Sequence, residues 1–183
     1  VPDEGRPDAL RGQPLDAELE EPLEDRTVAV GHRVRQQIAA AAAVWDEAAR
    51  QVNKRAGVLI LDDTTLDKPY AKQMELVTRH WSGKHHRVVQ GINLITLLWS
   101  DGDRHVPVDY QVYDKAGDGL TQNDPVQAML NTARERGFRP ECVVFDSWYS
   151  GLDHLKQINS FGWVWLTRLK ANRLVNPDRS GRC

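Results

Sequence analysis

The chain has 183 residues, of which 40% are hydrophobic and 27% are charged, the balance of a folded globular protein rather than a disordered tail. No apolar run approaches the roughly 20 residues that span a bilayer, and no signal-peptide pattern opens the sequence, so we expect a cytoplasmic protein without a membrane partner. The two cysteines, Cys142 and Cys183, do not make a disulfide framework.

The net charge of −2 is unevenly distributed along the chain. Residues 1–26 hold nine acids, three arginines, four prolines and no aromatic residue. Such a segment buries too little apolar surface to offset its chain entropy, so disorder is predicted there. The rest of the chain carries 21 Lys and Arg against 17 Asp and Glu, which permits a nucleic-acid partner without requiring one.

A helical lead-in and a short series of strands follow. Residues 27–55 contain an Ala-rich helix over about 34–52, part of which is expected to pack against the body of the protein. The body begins at residue 56. Its first three predicted strands cover residues 58–61, 86–99 and 106–112, and the turn residues 100–103 make the second and third strands an antiparallel hairpin.

The second half of the body alternates helices and strands. Asp124 is predicted as a helix N-cap with Pro125 in the first helical position, and Gly137 ends that helix. A buried strand at 142–145, a helix at 152–160 and a strand at 163–169 complete the order β-β-β-α-β-α-β. The expected fold class is therefore α/β with an N-terminal helix.

Two apolar strands end in aspartate. The run VLIL leads into Asp62 and Asp63, and CVVF leads into Asp146. If these strands are parallel neighbours, Asp63 and Asp146 meet beyond their carboxyl ends, where open sheets bind ligands. Paired carboxylates are the hard oxygen ligands that Mg²⁺ prefers, and such a site can activate water on a phosphodiester. The alternative is that these aspartates only terminate strands, since Asp is common in turns.

Three sequence blocks carry a resemblance to a known family. LILDDTTLDKP, HWSGKHHRVVQGINLITLLW and ECVVFDSWYSG, in this order, resemble the catalytic half of bacterial insertion-sequence DDE transposases over residues 57–173. The resemblance implies an RNase H-like mixed sheet in which Asp63 and Asp146 bind the catalytic metals. Asp62 occupies a position where the family places no ligand.

The resemblance also implies an activity and its partners. These are metal-dependent cleavage and strand transfer of DNA, with Mg²⁺ as cofactor and Mn²⁺ as a substitute of the same hard type. Transposon ends and target DNA would be the partners, and the full-length family forms homodimers.

The third carboxylate of the family is missing from its expected block. No Glu follows Glu141, and after Asp146 the acids are Asp153 and Asp178 alone. We therefore expect residues 56–183 to be the N-terminal part of an incomplete RNase H-like domain, and the chain to be a truncated and inactive transposase. Two alternatives stay open: a non-catalytic DNA-binding or regulatory remnant, and a small nuclease whose third ligand is Asp153 or Asp178.

Basic and aromatic residues near the aspartates are candidates for DNA contacts. Between the first two strands, cations that could bind phosphates, or that simply solvate a loop, are Lys68, Lys72, Arg79, Lys84 and Arg87. Trp81 would either stack on a base or cap the edge of the core. For Trp148 and Tyr149 the family resemblance implies a DNA groove, and the alternative is packing beneath the following helix.

Overall fold

The computed structural model describes residues 36, 37, 39–72, 74, 76–113, 121 and 123–175. The acidic segment 1–26, predicted to be disordered, and Asp178 lie outside the described residues. A helix, α1, covers the described residues between 36 and 48 and continues as the 3₁₀ turn Ala49–Gln51. The elements that follow are β1 (Val58–Asp67), β2 (Thr78–Ser82), β3 (Arg87–Ser100), β4 (His105–Tyr113), α2 (Asn123–Glu135), β5 (Cys142–Phe145), α3 (Leu152–Ser160) and β6 (Trp165–Thr167).

The strands form one mixed sheet in the order β2-β3-β1-β5-β6, with β4 also paired to β3. The long strand β3 is antiparallel to β1, β2 and β4, whereas β5 is parallel to both β1 and β6. On one edge of β3, β2 pairs with the first residues of the strand and β4 with the remainder. The fold is thus mixed α/β, and β1 lies at its centre between an antiparallel and a parallel neighbour.

One face of the sheet carries the hydrophobic core. Successive side chains of a strand point to opposite faces, and in β1 this places Leu59 and Leu61 in the interior. The three helices contribute to the same core, for example Trp45 from α1, Met129 from α2 and Ile158 from α3. Fully burying an apolar side chain of this size stabilises the fold by about 1.5–3 kcal/mol. Packing of α1 on the body, expected from its Ala-rich sequence, is confirmed by the contact between Trp45 and Phe138.

The opposite face of the sheet is less covered. Val58 and Ile60 of β1 and Val144 of β5 are only partly buried there, and Leu166 of β6 keeps 62% of its surface. The protein therefore stacks its helices on one side of the sheet and leaves apolar side chains of the other side in partial contact with solvent.

Most predicted elements are present, with differences that have physical causes. The antiparallel hairpin, the strand at 142–145 and the helix at 152–160 are confirmed. The predicted first strand ends at Leu61, but β1 continues to Asp67 because pairing with β3 extends its polar half. An unpredicted strand, β2, forms on β3 in the same way. No helix in the described part of the chain is long and apolar enough to cross a membrane.

The start of α2 differs from its prediction. Asp124 is not the N-cap, because the helix begins at Asn123 and Asp124 lies in its first turn. There its carboxylate accepts hydrogen bonds from the backbone N–H and the hydroxyl of Thr121, which lower the pKa of Asp124. A carboxylate in the first turn that bonds backwards to a preceding N–H still stabilises the helix start.

Candidate active site

The predicted adjacency of the two aspartate-bearing strands is confirmed. Strands β1 and β5 are parallel neighbours, paired from Val58 with Cys142 to Leu61 with Phe145. Continued by one residue, this register sets Asp62 opposite Asp146. Asp63 lies one residue further along β1, in register with Ile95 of β3. Three aspartates therefore lie within two residues of the point where the parallel pairing of β1 and β5 ends.

Asp62 and Asp63 belong to opposite faces of β1. By strand alternation, Asp63 shares the core face with Leu59 and Leu61, and it is half-buried. Asp62 faces the other side and is more exposed. The two neighbouring carboxylates therefore have different surroundings, although they are adjacent in the chain.

Both carboxylate oxygens of Asp63 accept hydrogen bonds from neutral side chains. The amide Nδ2 of Asn93, on β3, donates to Oδ2 at 2.9 Å. The hydroxyl of Tyr149, in the segment after β5, donates to Oδ1 at 3.0 Å. The carboxylate of Asp63 is thus held between two elements that flank β1 on either side.

Asn93 is buried with an unsatisfied acceptor. Its side chain is 2% exposed, and its Oδ1 atom has no hydrogen-bond partner among the described residues. The amide nitrogen must face Asp63, because an amide oxygen there would repel the carboxylate. A buried acceptor without a partner lowers the stability of the fold by about 1–3 kcal/mol. The amide orientation that donates to Asp63 therefore costs folding free energy.

Tyr149 does not line a groove. Its side chain is 0% exposed and packs in the core, so the implied contact with DNA is corrected to the alternative of burial within the protein. Burial raises the pKa of the Tyr149 phenol well above its usual range, and the charge and hydrogen bond of Asp63 raise it further. The charges of Asp146 and Asp62 act in the same direction. The phenol therefore stays protonated and remains a hydrogen-bond donor to Asp63.

Asp146 is held by the backbone that follows it. Its Oδ1 accepts the N–H of Trp148 at 2.8 Å, and its backbone oxygen accepts the hydroxyl of Thr167 at 3.1 Å. The first bond forms a turn of the type that Asp favours after a strand. The side chain of Asp146 is exposed.

The carboxylates act on one another electrostatically. Partial desolvation of the Asp62 carboxylate raises its pKa, and the charges of Asp63 and Asp146 raise it further against a lowering hydrogen bond from the Asp63 N–H. Mutual repulsion of this kind is expected where several carboxylates lie close together.

The aspartates do not by themselves complete a metal-binding cluster. Within the described ranges, no three His, Cys, Asp or Glu side chains are placed so that they could hold a metal ion together. Asp153, the alternative third ligand, lies in the first turn of α3 beside Lys156, on the side that faces α2. Its companion candidate, Asp178, lies outside the described residues.

The predicted DNA-binding cations are all exposed, namely Lys68, Lys72, Arg79, Lys84 and Arg87. They are grouped around the β2–β3 hairpin, and Lys68 follows Asp63 by five residues, about 17 Å along an extended strand. Arg79 pairs with Gln90 and Arg87 with Ser82, so alternation puts the two arginines on opposite faces of the hairpin. The turn is fixed to the end of β1 by a contact of 2.8 Å between His85 Nε2 and Asp67 Oδ2.

Two tryptophans are exposed near these groups. Trp148 is 56% exposed, and Nζ of Lys170 lies 4.7 Å from the centroid of its ring. Trp81 is 66% exposed on β2, so it does not cap the edge of the core. Of the two aromatic residues after Asp146, Trp148 is therefore the one whose ring is accessible to a ligand.

Sequence reasoning missed Asn93 and expected a different role for Tyr149. A polar Asn within the apolar run INLITLLW is a signal, because a buried strand admits an amide only where it has a partner. That the partner is Asp63 depends on strand register, which composition and periodicity do not contain.

Comparison with known proteins identifies the family. The sequence model of the DDE superfamily endonucleases matches residues 26–182. The chain belongs to this family. No curated protein sequence matches it.

Two solved transposase structures resemble parts of this chain. A piggyBac transposase synaptic complex with hairpin DNA aligns with a TM-score of 0.46 and 12% identity, over 68% of this chain and 25% of the piggyBac chain. The Drosophila P element transposase strand transfer complex aligns with a TM-score of 0.27 and 14% identity, over 59% of this chain and 21% of the other. The chain thus spans a quarter or less of the length of these transposases.

Proposed function

We propose that this chain is part of a DNA transposase. Such an enzyme cleaves and joins phosphodiester bonds at the ends of an insertion sequence. The observation that carries the proposal is the position of Asp63 and Asp146 just beyond the last residue pair of the adjacent parallel strands β1 and β5, Asp63 by two residues and Asp146 by one. Membership of the family gives this pair its chemical meaning, and an RNase H-like arrangement of the sheet is part of the same proposal.

The proposal includes a divalent metal ion, as DDE endonucleases generally use. Asp63 and Asp146 would hold Mg²⁺, or Mn²⁺ in its place, because both ions prefer carboxylate oxygens. The hydrogen bonds to Asp63 fit this assignment, since Asn93 and Tyr149 each occupy one lone pair and leave lone pairs on both carboxylate oxygens for an ion. When bound, the ion would activate water and stabilise the leaving oxygen of a phosphodiester.

DNA is the proposed partner, as transposon end and as target. The exposed cations of the β2–β3 hairpin, with Lys68 and Lys72, would contact phosphates, and Trp148 would stack on a base near Asp146. The exposure of these cations supports the assignment, because a phosphate contact needs an accessible positive charge.

We further propose that the 183 residues bind DNA but do not cleave it. The proposed site contains Asp63 and Asp146 and no Glu after Glu141. Two carboxylates hold two cations less well than three, since they offset less of the repulsion between the ions. Loss of one metal that stabilises a reacting oxygen removes several kcal/mol from transition-state stabilisation, roughly a thousandfold or more in rate.

The deciding experiment measures DNA binding and cleavage with the same preparations. The chain and an Asp63→Asn, Asp146→Asn double variant are compared on transposon-end DNA with Mg²⁺ or Mn²⁺, over a series of salt concentrations. Salt-sensitive binding by both proteins, with no cleavage above background by either, is the expected result. Cleavage by the unmodified chain alone would support the metal site and overturn the proposed inactivity. Absence of both DNA binding and Mn²⁺ binding would overturn the proposed function.

A further inference from the structure

The carboxylate of Asp63 is held by side chains from two different segments of the chain. Its two oxygens are bonded by Asn93 from β3 and Tyr149 from the segment after β5, at 2.9 and 3.0 Å. By contrast, the side chain of Asp146 accepts its hydrogen bond from the nearby backbone of Trp148. A carboxylate that accepts from both sides has its plane and its rotamer fixed by partners.

Burying the two residues that donate to Asp63 costs folding free energy that a purely structural role would not require. Tyr149 is 0% exposed, and its hydroxyl is directed at a carboxylate rather than at a neutral acceptor. Asn93 is 2% exposed and leaves its own Oδ1 without a partner in the described part of the chain. An apolar side chain of similar volume at residue 93 would leave no such unpaired group.

Tyr149 also connects the two strand ends. It follows Asp146 by three residues, and its hydrogen bond reaches across to β1, 86 positions earlier in the chain. This bond therefore helps to set the distance between Asp63 and the segment that carries Asp146. The four residue pairs between β1 and β5 set it as well.

We propose that Asn93 and Tyr149 are positioning residues that orient Asp63 for binding a divalent cation. This inference rests on the proposed function and adds to it the groups that prepare the ligand. Asn93 and Tyr149 each occupy one lone pair of a carboxylate oxygen of Asp63. The remaining lone pairs of that carboxylate stay available to an ion. Partners of this kind fix the orientation of a metal ligand, and their removal typically lowers metal affinity 10- to 100-fold.

The test uses the full chain and Mn²⁺ alone, without DNA. Free Mn²⁺ is measured by electron paramagnetic resonance during titration of the unmodified protein and of Asp63→Asn, Tyr149→Phe and Asn93→Leu. Tyr149→Phe keeps the aromatic ring in the core and removes only the donor. Tyr70→Phe, at a tyrosine that is 93% exposed, is the matched control for loss of a phenol. Thermal unfolding of every variant is recorded in the absence of Mn²⁺.

The expected result is a Mn²⁺ affinity at least tenfold weaker in Tyr149→Phe and in Asn93→Leu, and unchanged in Tyr70→Phe. Asn93→Leu removes the unpaired acceptor, which stabilises the fold, and also a donor to Asp63, which destabilises it, so we expect a small net change in the unfolding temperature. A purely structural role would lower the unfolding temperature and leave the Mn²⁺ affinity of the folded protein unchanged.

The failures of the two proposals are distinguishable. If Asp63→Asn abolishes Mn²⁺ binding while Tyr149→Phe and Asn93→Leu bind as the unmodified chain does, the positioning role is wrong and the metal site stands. If the unmodified chain binds no Mn²⁺, or binds it equally well after Asp63→Asn, Asp63 is not a ligand. In that case both proposals are overturned.

Discussion

Asp62 lies opposite Asp146 in the parallel register of β1 and β5, one position beyond the pair formed by Leu61 and Phe145. Asp63, which the family resemblance assigns to the metal, is offset by one residue and faces the core side of the sheet. Carboxylates therefore lie on both faces of β1 at this point. Of the two, Asp63 is the one that accepts hydrogen bonds from Asn93 and Tyr149.

The first prediction concerns repulsion among these carboxylates. The pKa of Asp62 is raised by partial desolvation and by the charges of Asp63 and Asp146, so its ionised form weakens the folded state. Asp62→Asn keeps the oxygen that accepts the Asp63 N–H and removes the charge. Because the residue retains solvent, we expect the free energy of unfolding at pH 7 without metal to rise by up to about 1 kcal/mol.

The gain in stability from Asp62→Asn should disappear at low pH. A raised pKa means that the penalty of the ionised carboxylate is present above the folded-state pKa and is lost as the pH falls below the ordinary aspartate value of about 3.9. Urea unfolding of Asp62→Asn and of the control Asp103→Asn, in the β3–β4 turn, is compared at pH 7 and at pH 3. A lower stability of Asp62→Asn at pH 7 would contradict the prediction.

The second prediction separates the structural and ligand roles of Asp146. Asp146→Asn retains the oxygen that accepts the N–H of Trp148, whereas Asp146→Ala removes it. We expect the Ala variant to lose about 1 kcal/mol of stability and the Asn variant to lose less than half of that. Both variants should bind Mn²⁺ at least tenfold more weakly. Mn²⁺ binding by Asp146→Asn at the unmodified affinity would exclude the carboxylate as a ligand.

The third prediction concerns the cations of the β2–β3 hairpin. Lys84→Glu and Arg87→Glu should each weaken binding to duplex DNA and reduce the slope of log affinity against log salt by about 0.9 for each phosphate that the variant no longer neutralises. Lys156→Glu, an exposed lysine of α3, changes the net charge equally and serves as the control. Fluorescence anisotropy at four salt concentrations gives the slopes, and equal slopes in all three variants would mean that the hairpin does not bind DNA.

The fourth prediction concerns the close approach of β1 and β3. A Cβ atom at Gly91 would lie 2.6 Å from the backbone oxygen of Leu66 and 2.8 Å from Cγ2 of Thr65. Gly91→Ala should therefore destabilise the protein by about 1–3 kcal/mol, as overpacking usually does. At Gly83, in the β2–β3 turn, a Cβ meets nothing within 4 Å, so Gly83→Ala is the control. Equal unfolding midpoints in urea for the two variants would show that β3 can shift away from β1.

The sequence predicted the elements whose signals are local. The apolar run at 142–145 and the amphipathic segment at 152–160 have the bounds expected of them, because burial and helix periodicity are visible in the residues themselves. The polar half of β1 and the whole of β2 were missed, since their extended conformation comes from pairing with β3 rather than from their own composition.

For the candidate site, too, the sequence predicted the residues with local signals and missed the contacts that depend on strand register. Asp63 and Asp146 follow apolar strands, so their approach could be expected once those strands were taken as parallel neighbours. The bond of Tyr149 to Asp63 and the orientation of Asn93 depend on which atoms the register brings together. Aromatic character after an aspartate suggested a surface for DNA at Tyr149, whereas tertiary packing placed that ring in the core.

The parallel pairing of β1 with β5 determines the order in which the parts of the sheet are expected to form during folding. β3 and β4 are joined by a short turn, whereas the bond from Tyr149 to Asp63 closes a loop of 86 residues. Contacts between distant residues form more slowly, because closing a longer loop costs more chain entropy. We therefore expect Asp63 to be paired with Asn93 of β3 early, and the proposed cation site to be completed only when β5 and Tyr149 dock beside β1.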